Sequence, residues 1–238
     1  LLYLHGGAYV MGGLPLADST ARMLVDQAGV TVVAMDYRLA PEHPYPAGLE
    51  DCYAVLQWAC AEGRQFGIDA DRLGVLGESA GGGLAAALAL IARDRGGPRL
   101  IAQFLDAPTI DDRLDTPSMT MLVDTPVWQS VNSPYSWRYY LRGTAEPGGA
   151  DVPIYAAPAR ANVADLSGLP PAVVIAYQID PTRDEGLDYA RKLIQAGVPT
   201  ELHHYAGAFH VAHIIPGTVI GARMVADRMA AIRRVLGS

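Results

Sequence analysis

Apolar runs and helical periodicities alternate along most of the 238-residue chain. Short runs rich in Val, Ile, Leu and Ala are typical of strands that are buried on both faces of a parallel sheet. The longer stretches between them carry apolar residues three and four positions apart, which predicts amphipathic helices. The predicted strands cover 1–4, 30–37, 72–77, 100–107, 172–179 and 200–205, and the predicted helices cover 18–28, 47–63, 84–92, 183–196 and 218–236.

This alternation predicts an α/β fold, with a mostly parallel, doubly wound sheet and helices on both faces. We expect residues 1–238 to form one domain. Residues 108–164 break the pattern with prolines, Asp pairs and clustered aromatic residues, so we expect an irregular, partly helical insertion near the functional site. The first strand starts at Leu1 without an initiator methionine or a polar lead-in. We therefore expect the chain to be the remainder of a longer protein, with one edge of its sheet uncovered.

Composition and charge exclude several classes of partner. The net charge is −7 and there is no basic cluster, which argues against nucleic acid. The longest apolar run, 84–92, is far shorter than the ~18 residues that a membrane span needs. Cys52 and Cys60 are eight positions apart on one predicted helix, about 12 Å along its axis and too far for a disulfide. We expect two buried thiols, and a cytoplasmic location is favoured.

The chemistry is concentrated at the turn after the third predicted strand. Gly77-Glu78-Ser79-Ala80-Gly81 matches the pattern G-x-S-x-G, in which a sharp strand–turn–helix geometry raises a serine hydroxyl above the sheet edge. The glycines are needed because side chains there would collide with the neighbouring strand and helix. The pattern also occurs by chance in surface loops. The strand before it and the helix after it favour the functional interpretation, with Ser79 as the nucleophile.

A serine hydroxyl needs a histidine as general base, and in a parallel sheet that base must lie at the C-terminal end of a strand. His210 follows the strand 200–205 in a loop of small residues and is the best candidate, with His213 as the alternative. A weaker alternative is a zinc site, because no motif such as H-E-x-x-H occurs. Its ligands would be His203, His204, His210 and His213.

The histidine in turn needs an acid that fixes its tautomer. Asp180 directly follows the strand 172–179 and is the candidate, with the nearby Glu185 as the alternative. The order Ser79, Asp180, His210 is the one expected of α/β-hydrolases, and we call these three the triad residues. A second set, the oxyanion residues, offers backbone N–H groups to the negatively charged oxygen of the substrate. This set comprises Gly6 and Gly7 after the first strand, and Ala80 at the N-terminus of the next helix.

Together these motifs resemble the hormone-sensitive-lipase-like family of α/β-hydrolases, bacterial carboxylesterases in particular. The resemblance covers almost the whole chain. It implies an α/β-hydrolase fold, the same roles for the triad and oxyanion residues, a bracing role for 37–42, and no cofactor or metal. The motifs that carry it are His5-Gly6-Gly7, Asp36-Tyr37-Arg38-Leu39-Ala40-Pro41-Glu42, the Ser79 turn, Asp180-Pro181-Thr182-Arg183-Asp184-Glu185 and His210.

The chain departs from the family pattern in four ways. Ala8 stands where a third glycine is usual, Glu78 replaces an aspartate, and Thr182 replaces a leucine. Family members also carry a helical N-terminal cap and two further strands before the position of Leu1. Without them, we expect the acyl pocket to be open to water, and the chain to be less stable and less selective for acyl length than a longer one.

The resemblance implies a serine carboxylesterase that hydrolyses short- to medium-chain acyl esters through an acyl-enzyme intermediate. Its partner is then a small-molecule ester, and a homodimer is left open. Three alternatives remain: a non-catalytic binding protein with a hydrolase fold, an inactive fragment of an esterase, and an amidase or deacetylase that uses the same triad. Labelling by a fluorophosphonate probe separates an enzyme from a binding protein.

Overall fold

The computed structural model describes residues 1–237, which contain a six-stranded, fully parallel sheet. Its strand order is β2-β1-β3-β4-β5-β6. The strands are β1 (Leu2–Leu4), β2 (Val33–Met35), β3 (Leu73–Glu78), β4 (Leu100–Asp106), β5 (Ala172–Ile179) and β6 (Thr200–Phe209). The helices are α1 (Leu14–Ala28), α2 (Ala47–Glu62), α3 (Ala80–Asp94), α4 (Pro117–Met121), α5 (Ser133–Tyr140), α6 (Arg183–Gln195) and α7 (Val219–Leu236). The prediction of a parallel α/β fold is confirmed.

The sheet is covered on both faces by separate apolar layers. On one face α2, α3 and α6 pack against the strands, and on the other α1 and α7 do so. Helix α3 is buried continuously from Ala80 to Ala92, because its Ala and Gly residues allow it to lie close to β1, β3 and β4. β1 lies between β2 and β3, which accounts for its continuous apolar character.

The first helix begins earlier than its periodicity predicts. α1 starts at Leu14 rather than at residue 18, with Pro15 in its first turn, where the missing N–H removes no helical hydrogen bond. The N-cap position is held by Gly13 and not by a residue near position 18. Asp18 instead pairs with Arg22 one turn further on, at 2.8 Å.

Two strands differ in length from their predicted ranges, because neighbouring strands determine where pairing stops. β2 is short: it matches the three residues of β1, pairing Val33 with Leu2 and Met35 with Leu4. β6 is long, since its ladder with β5 continues across a register shift to pair Phe209 with Ile179. The extra residues of β6 bring the chain directly to His210.

The cysteine prediction is wrong for one residue. Cys52 is buried in the core, whereas Cys60 is exposed. Eight residues of α-helix rotate a side chain by about 80°, enough to carry Cys60 off the buried face of α2. Among residues 1–237, no helix combines the length and the apolar character that crossing a membrane requires.

Candidate active site

Ser79 lies in a strained turn between β3 and α3. Its φ of 57° and ψ of −120° are rare for a residue with a side chain. Its N–H donates to Asp106 O at 2.8 Å, and its carbonyl accepts the N–H of Gly83 at 3.1 Å. The glycines are required by contact: a Cβ on Gly77 would lie 1.9 Å from Gly81 O, and one on Gly81 would lie 2.2 Å from Leu4 O. The surroundings therefore hold the serine in a conformation that it would not adopt alone.

The structure brings the three triad residues into one chain of hydrogen bonds. His210 Nε2 lies 2.9 Å from Ser79 Oγ, and His210 Nδ1 lies 2.8 Å from Asp180 Oδ2. Asp180 is fully buried, and its other oxygen accepts the N–H of Thr182 at 2.9 Å. Burial lowers the pKa of His210, but the attraction and hydrogen bond of Asp180 outweigh it, so that this pKa lies above its ordinary value.

The alternative base and the alternative acid lie elsewhere. His213 Nε2 contacts Glu78 Oε1 at 3.1 Å, whereas the histidine that contacts Ser79 Oγ is His210. Glu185 is buried and accepts the N–H of Ile110 at 3.2 Å. Burial and the nearby negative charge of Asp111 raise the pKa of Glu185 well above its ordinary value.

Three of the four histidines that were considered as zinc ligands contact separate partners, and the group with metal-ligand spacing contains only His213 among them. His203 Nε2 contacts Glu201 at 2.7 Å, His210 contacts Ser79 and Asp180, and His213 contacts Glu78. The four side chains therefore do not share a ligand-binding centre in the part of the chain that the structure describes.

The oxyanion residues surround the serine from two elements. Gly6, just past β1, is close enough that a Cβ on it would lie 3.3 Å from Ser79 Cβ. Gly7 has a φ of 129°, and a Cβ there would lie 2.0 Å from Met11 O. Ala80 is the first residue of α3, where backbone N–H groups have no partner inside the helix. Its side chain is buried in the core and does not line the cavity beside Ser79.

The loop after β1 is braced by aromatic residues. Tyr37 stacks on His5 with ring centroids 4.4 Å apart and donates its hydroxyl to His5 O at 2.7 Å. The Tyr9 hydroxyl donates to Thr109 O at 2.7 Å. Ala8 adopts a φ of 55°, a left-handed conformation in which glycine is the more usual residue. Ser136 of α5 holds Ala8 by donating to its carbonyl at 2.8 Å.

A cavity of about 700 Å³ opens above Ser79 and His210. Its walls come from α1, α5, the loop after β1 and the segment after His210. Trp128 stands beside the histidine, with ring centroids 6.5 Å apart. Most of the cavity wall is apolar. The apolar lining comprises Val10, Met11, Leu16, Val127, Trp128, Tyr135, Tyr139, Val211 and Ile214.

Sequence reasoning missed the role of Glu78, which it noted only as a departure from the family. Its carboxylate is buried and accepts from Tyr3 at 2.7 Å and Arg228 at 2.5 Å, besides contacting His213. Burial raises the pKa of Glu78, but the charge of Arg228 and the hydrogen bond of His213 lower it further, so the group is a carboxylate. The sequence contained a signal of this contact. Arg228 follows the buried Met224 by one helical turn, so that a charged side chain lies on the apolar face of α7.

The sheet, its connections and the serine turn define the class of α/β-fold hydrolases. A family profile described as an alpha/beta hydrolase fold matches residues 1–214. The chain therefore belongs to this α/β-hydrolase family, which confirms its resemblance to the hormone-sensitive-lipase-like carboxylesterases.

Individual relatives agree with this assignment. The chain is 39% identical over 237 residues to Esterase LipI of Mycobacterium tuberculosis, covering 99% of this chain and 72% of LipI. It is 35% identical over 212 residues to an arylesterase of Saccharolobus solfataricus, covering 88% of this chain and 67% of that protein. A solved structure, Bacterial Heroin Esterase, superposes with a TM-score of 0.95 at 44% identity, covering 100% of this chain and 74% of that one.

Proposed function

We propose that this carboxylic ester hydrolase cleaves short- to medium-chain acyl esters through an acyl-enzyme intermediate on Ser79. The observation that carries the proposal is the continuous path of hydrogen bonds from Ser79 Oγ through His210 to Asp180, with distances of 2.9 and 2.8 Å. Both are within the range for proton transfer by a positioned base.

In the first half of the reaction, Ser79 Oγ attacks the carbonyl carbon of the ester while His210 Nε2 takes the hydroxyl proton. The carbonyl oxygen becomes negatively charged and accepts hydrogen bonds from the oxyanion residues. When the tetrahedral intermediate collapses, the bond to the alcohol oxygen breaks and His210 returns the proton to the departing alcohol. Asp180 stabilises the imidazolium that exists between these steps.

In the second half, a water molecule replaces the alcohol. His210 takes a proton from that water as its oxygen attacks the acyl carbon. The second tetrahedral intermediate collapses, Ser79 Oγ leaves and recovers its proton from His210, and a carboxylic acid is released. In each half of the reaction, His210 therefore accepts one proton from the attacking group and then donates it to the leaving group.

The cavity supports the substrate class. An apolar volume of about 700 Å³ beside the serine accommodates an acyl chain of moderate length or an aromatic alcohol. The relatives named as an arylesterase and as an ethyl acetate hydrolase are consistent with small esters. Another relative is named arylacetamide deacetylase, so an anilide belongs in any substrate panel.

The decisive variant is Ser79→Ala. We expect it to abolish ester hydrolysis and fluorophosphonate labelling while leaving the fold intact, because loss of the nucleophile removes both covalent steps. The matched control is Ser167→Ala, at an exposed serine remote from the cavity, which should behave like the wild type. Substantial hydrolysis by Ser79→Ala contradicts the proposal. A panel of nitrophenyl esters and an anilide then measures the preferred acyl length and the preference for esters over amides.

A further inference from the structure

A buried cluster of charged and hydroxyl groups is joined to the Ser79 turn through Glu78 and Asp106, and the proposed reaction does not use it. We call it the elbow cluster. It draws one side chain from each of six segments of the fold, and every side chain is at most 11% exposed. Its members are Tyr3 (β1), Glu78 (β3), Asp106 (β4), Tyr177 (β5), His213 (after β6) and Arg228 (α7).

Glu78, the residue before the nucleophile, is held by three of these segments. Its Oε1 accepts from Arg228 Nη1 at 2.5 Å and from His213 Nε2 at 3.1 Å. Its Oε2 accepts from the Tyr3 hydroxyl at 2.7 Å. The side chain is therefore fixed from β1, from α7 and from the segment that follows β6.

Asp106 holds the turn from the other side. Its backbone oxygen accepts the N–H of Ser79 at 2.8 Å. Its carboxylate accepts from Tyr177 at 2.6 Å and from Arg228 at 3.1 Å. Arg228 therefore binds both Glu78, which precedes Ser79, and Asp106, whose backbone oxygen accepts the N–H of Ser79.

His213 gives the elbow cluster its connection to the general base. It lies three residues after His210, in the same segment, and donates to Glu78 next to Ser79. Ser79 and His210 must exchange a proton and contact each other directly. The hydrogen bond between Glu78 and His213, which lie close to them in the chain, is a second link between the same two segments. Displacement of the His210 segment relative to the turn would have to stretch this second bond.

We propose that His213 and Glu78 are positioning residues that keep His210 Nε2 within hydrogen-bond distance of Ser79 Oγ. The inference rests on the proposed serine mechanism. Neither residue touches the reacting atoms; both act through the alignment of the two that do.

The same oxygens and nitrogens have the spacing of a metal site, since ligand atoms of Glu78, Asp106 and His213 lie within 4.8 Å of one another. Arg228 Nη1, however, already contacts both carboxylates, at 2.5 and 3.1 Å. The guanidinium supplies the positive charge that two buried carboxylates require. We therefore assign the cluster a positioning role rather than a metal.

The test compares two amide replacements of one side chain, His213→Gln and His213→Asn. The glutamine amide reaches the position of Nε2 and keeps a donor to Glu78, whereas the shorter asparagine amide does not. We expect His213→Asn to lower kcat and the rate of fluorophosphonate labelling about tenfold to a hundredfold, because small misalignments have effects of that size. KM should stay close to the wild-type value, and His213→Gln should recover most of both rates.

The control is His203→Ala, which removes a hydrogen-bonded histidine from β6 whose partner is Glu201, outside the elbow cluster. It should leave kcat and labelling unchanged. All rates are measured well below the melting temperature of each variant, so that a loss of stability alone does not lower them. Wild-type rates in His213→Asn, or equal losses in the asparagine and glutamine variants, overturn the positioning role.

A second readout is the pH profile of Glu78→Gln. The groups that face Glu78 are Arg228, His213, Tyr3 and Asp106, and the negative charges of Asp106 and Glu78 both help to raise the pKa of His210. Removing the charge of Glu78 should therefore move the acid limb of kcat/KM to lower pH. An unmoved limb contradicts an electrostatic effect of Glu78 on His210, the His213 variants decide the positioning role, and an active Ser79→Ala variant contradicts the proposed function itself.

Discussion

Asp180 and Glu185 are two carboxyl groups five residues apart that meet opposite surroundings. Asp180 stands at the end of β5 and bonds both His210 and the N–H of Thr182. Glu185, in the first turn of α6, is buried, and burial and the negative charge of Asp111 raise its pKa well above its ordinary value. A raised pKa favours the protonated form of a carboxyl group, which stabilises an imidazolium less than a carboxylate does.

This contrast predicts different kinetic outcomes for two isosteric changes. Asp180→Asn should lower kcat by about 10⁴-fold, the size of loss known when a triad acid becomes an amide and the histidine tautomer is wrong. Glu185→Gln should leave kcat close to wild type, because glutamine resembles the neutral acid and can still accept the N–H of Ile110. Steady-state kinetics on one nitrophenyl ester measures both. Equal losses would transfer the acid role to Glu185.

The protonation of His210 predicts the pH dependence of the wild type. Only the neutral imidazole can accept the Ser79 proton, so kcat/KM should fall as pH drops through the pKa of His210. Because Asp180 raises that pKa above its ordinary value of 6.5, the acid limb should lie above pH 6.5. A pH profile of kcat/KM measures it. A rate that stays constant down to pH 5 would contradict a histidine base.

The elements meet most closely where β1, β3 and α3 converge beneath the serine. Leu4 and His5 present their carbonyl oxygens to the first turn of α3, at a distance that leaves room only for glycine at Gly81. The turn therefore depends on backbone packing between three elements and not on local propensity alone. The sequence shows that the residues of the turn are small, and the structure shows that a larger side chain at Gly81 would collide with the carbonyl oxygens of Leu4 and His5.

Alanine substitutions at two helical glycines separate the effect of backbone packing from that of local helix propensity. Gly81→Ala should destabilise the protein by about 1–3 kcal/mol and impair catalysis, since its Cβ would meet Leu4 O at 2.2 Å. Gly186→Ala is the matched control in α6, where the new Cβ would make an ordinary 3.6 Å contact with Pro108. That change should stabilise the protein by about 0.5–1 kcal/mol. Thermal melting measures both, and similar effects of the two would contradict the packing argument.

Features that depend on the local sequence pattern could be predicted from the sequence, whereas features that depend on tertiary packing could not. Apolar runs identified five of the six strands, because burial on both faces leaves a direct pattern in the chain. The sixth, β6, carries Glu201, His203 and His204, and was identified by its place in the alternation of strands and helices. The triad residues could be proposed because Asp180 and His210 directly follow strand ends that a parallel sheet collects at one edge. The elbow cluster could not, because Tyr3, Glu78 and Arg228 come together only through tertiary packing across 225 positions.

At the scale of the whole molecule, three buried carboxyl groups from different elements differ in how their pKa responds to burial. Glu78 shares the charge of Arg228 and has a lowered pKa, although burial alone would raise it. Asp106 contacts the same guanidinium, yet burial keeps its pKa above the ordinary value. Glu185 has Asp111 and Asp180 as its charged neighbours, and its pKa is raised further still. The positive charge of Arg228 therefore outweighs burial for Glu78, whereas nothing outweighs burial for Glu185.

The raised pKa of Glu185 predicts a dependence of stability on pH. In the unfolded chain Glu185 loses its proton near its ordinary value of 4.5, whereas the folded protein retains that proton to higher pH. Between those two pKa values the folded state binds more protons, so its stability falls as pH rises, by up to about 1.4 kcal/mol per pH unit.

Glu185→Gln removes this loss, because glutamine does not titrate. The melting temperature of Glu185→Gln minus that of the wild type should therefore be larger at pH 8 than at pH 5. Other titrating groups contribute almost equally to both proteins and largely cancel in the difference. Glu62→Gln, at an exposed position that ends α2, is the control, and its difference should stay nearly constant. If the difference for Glu185→Gln is also constant, the buried carboxyl group does not keep its proton on folding.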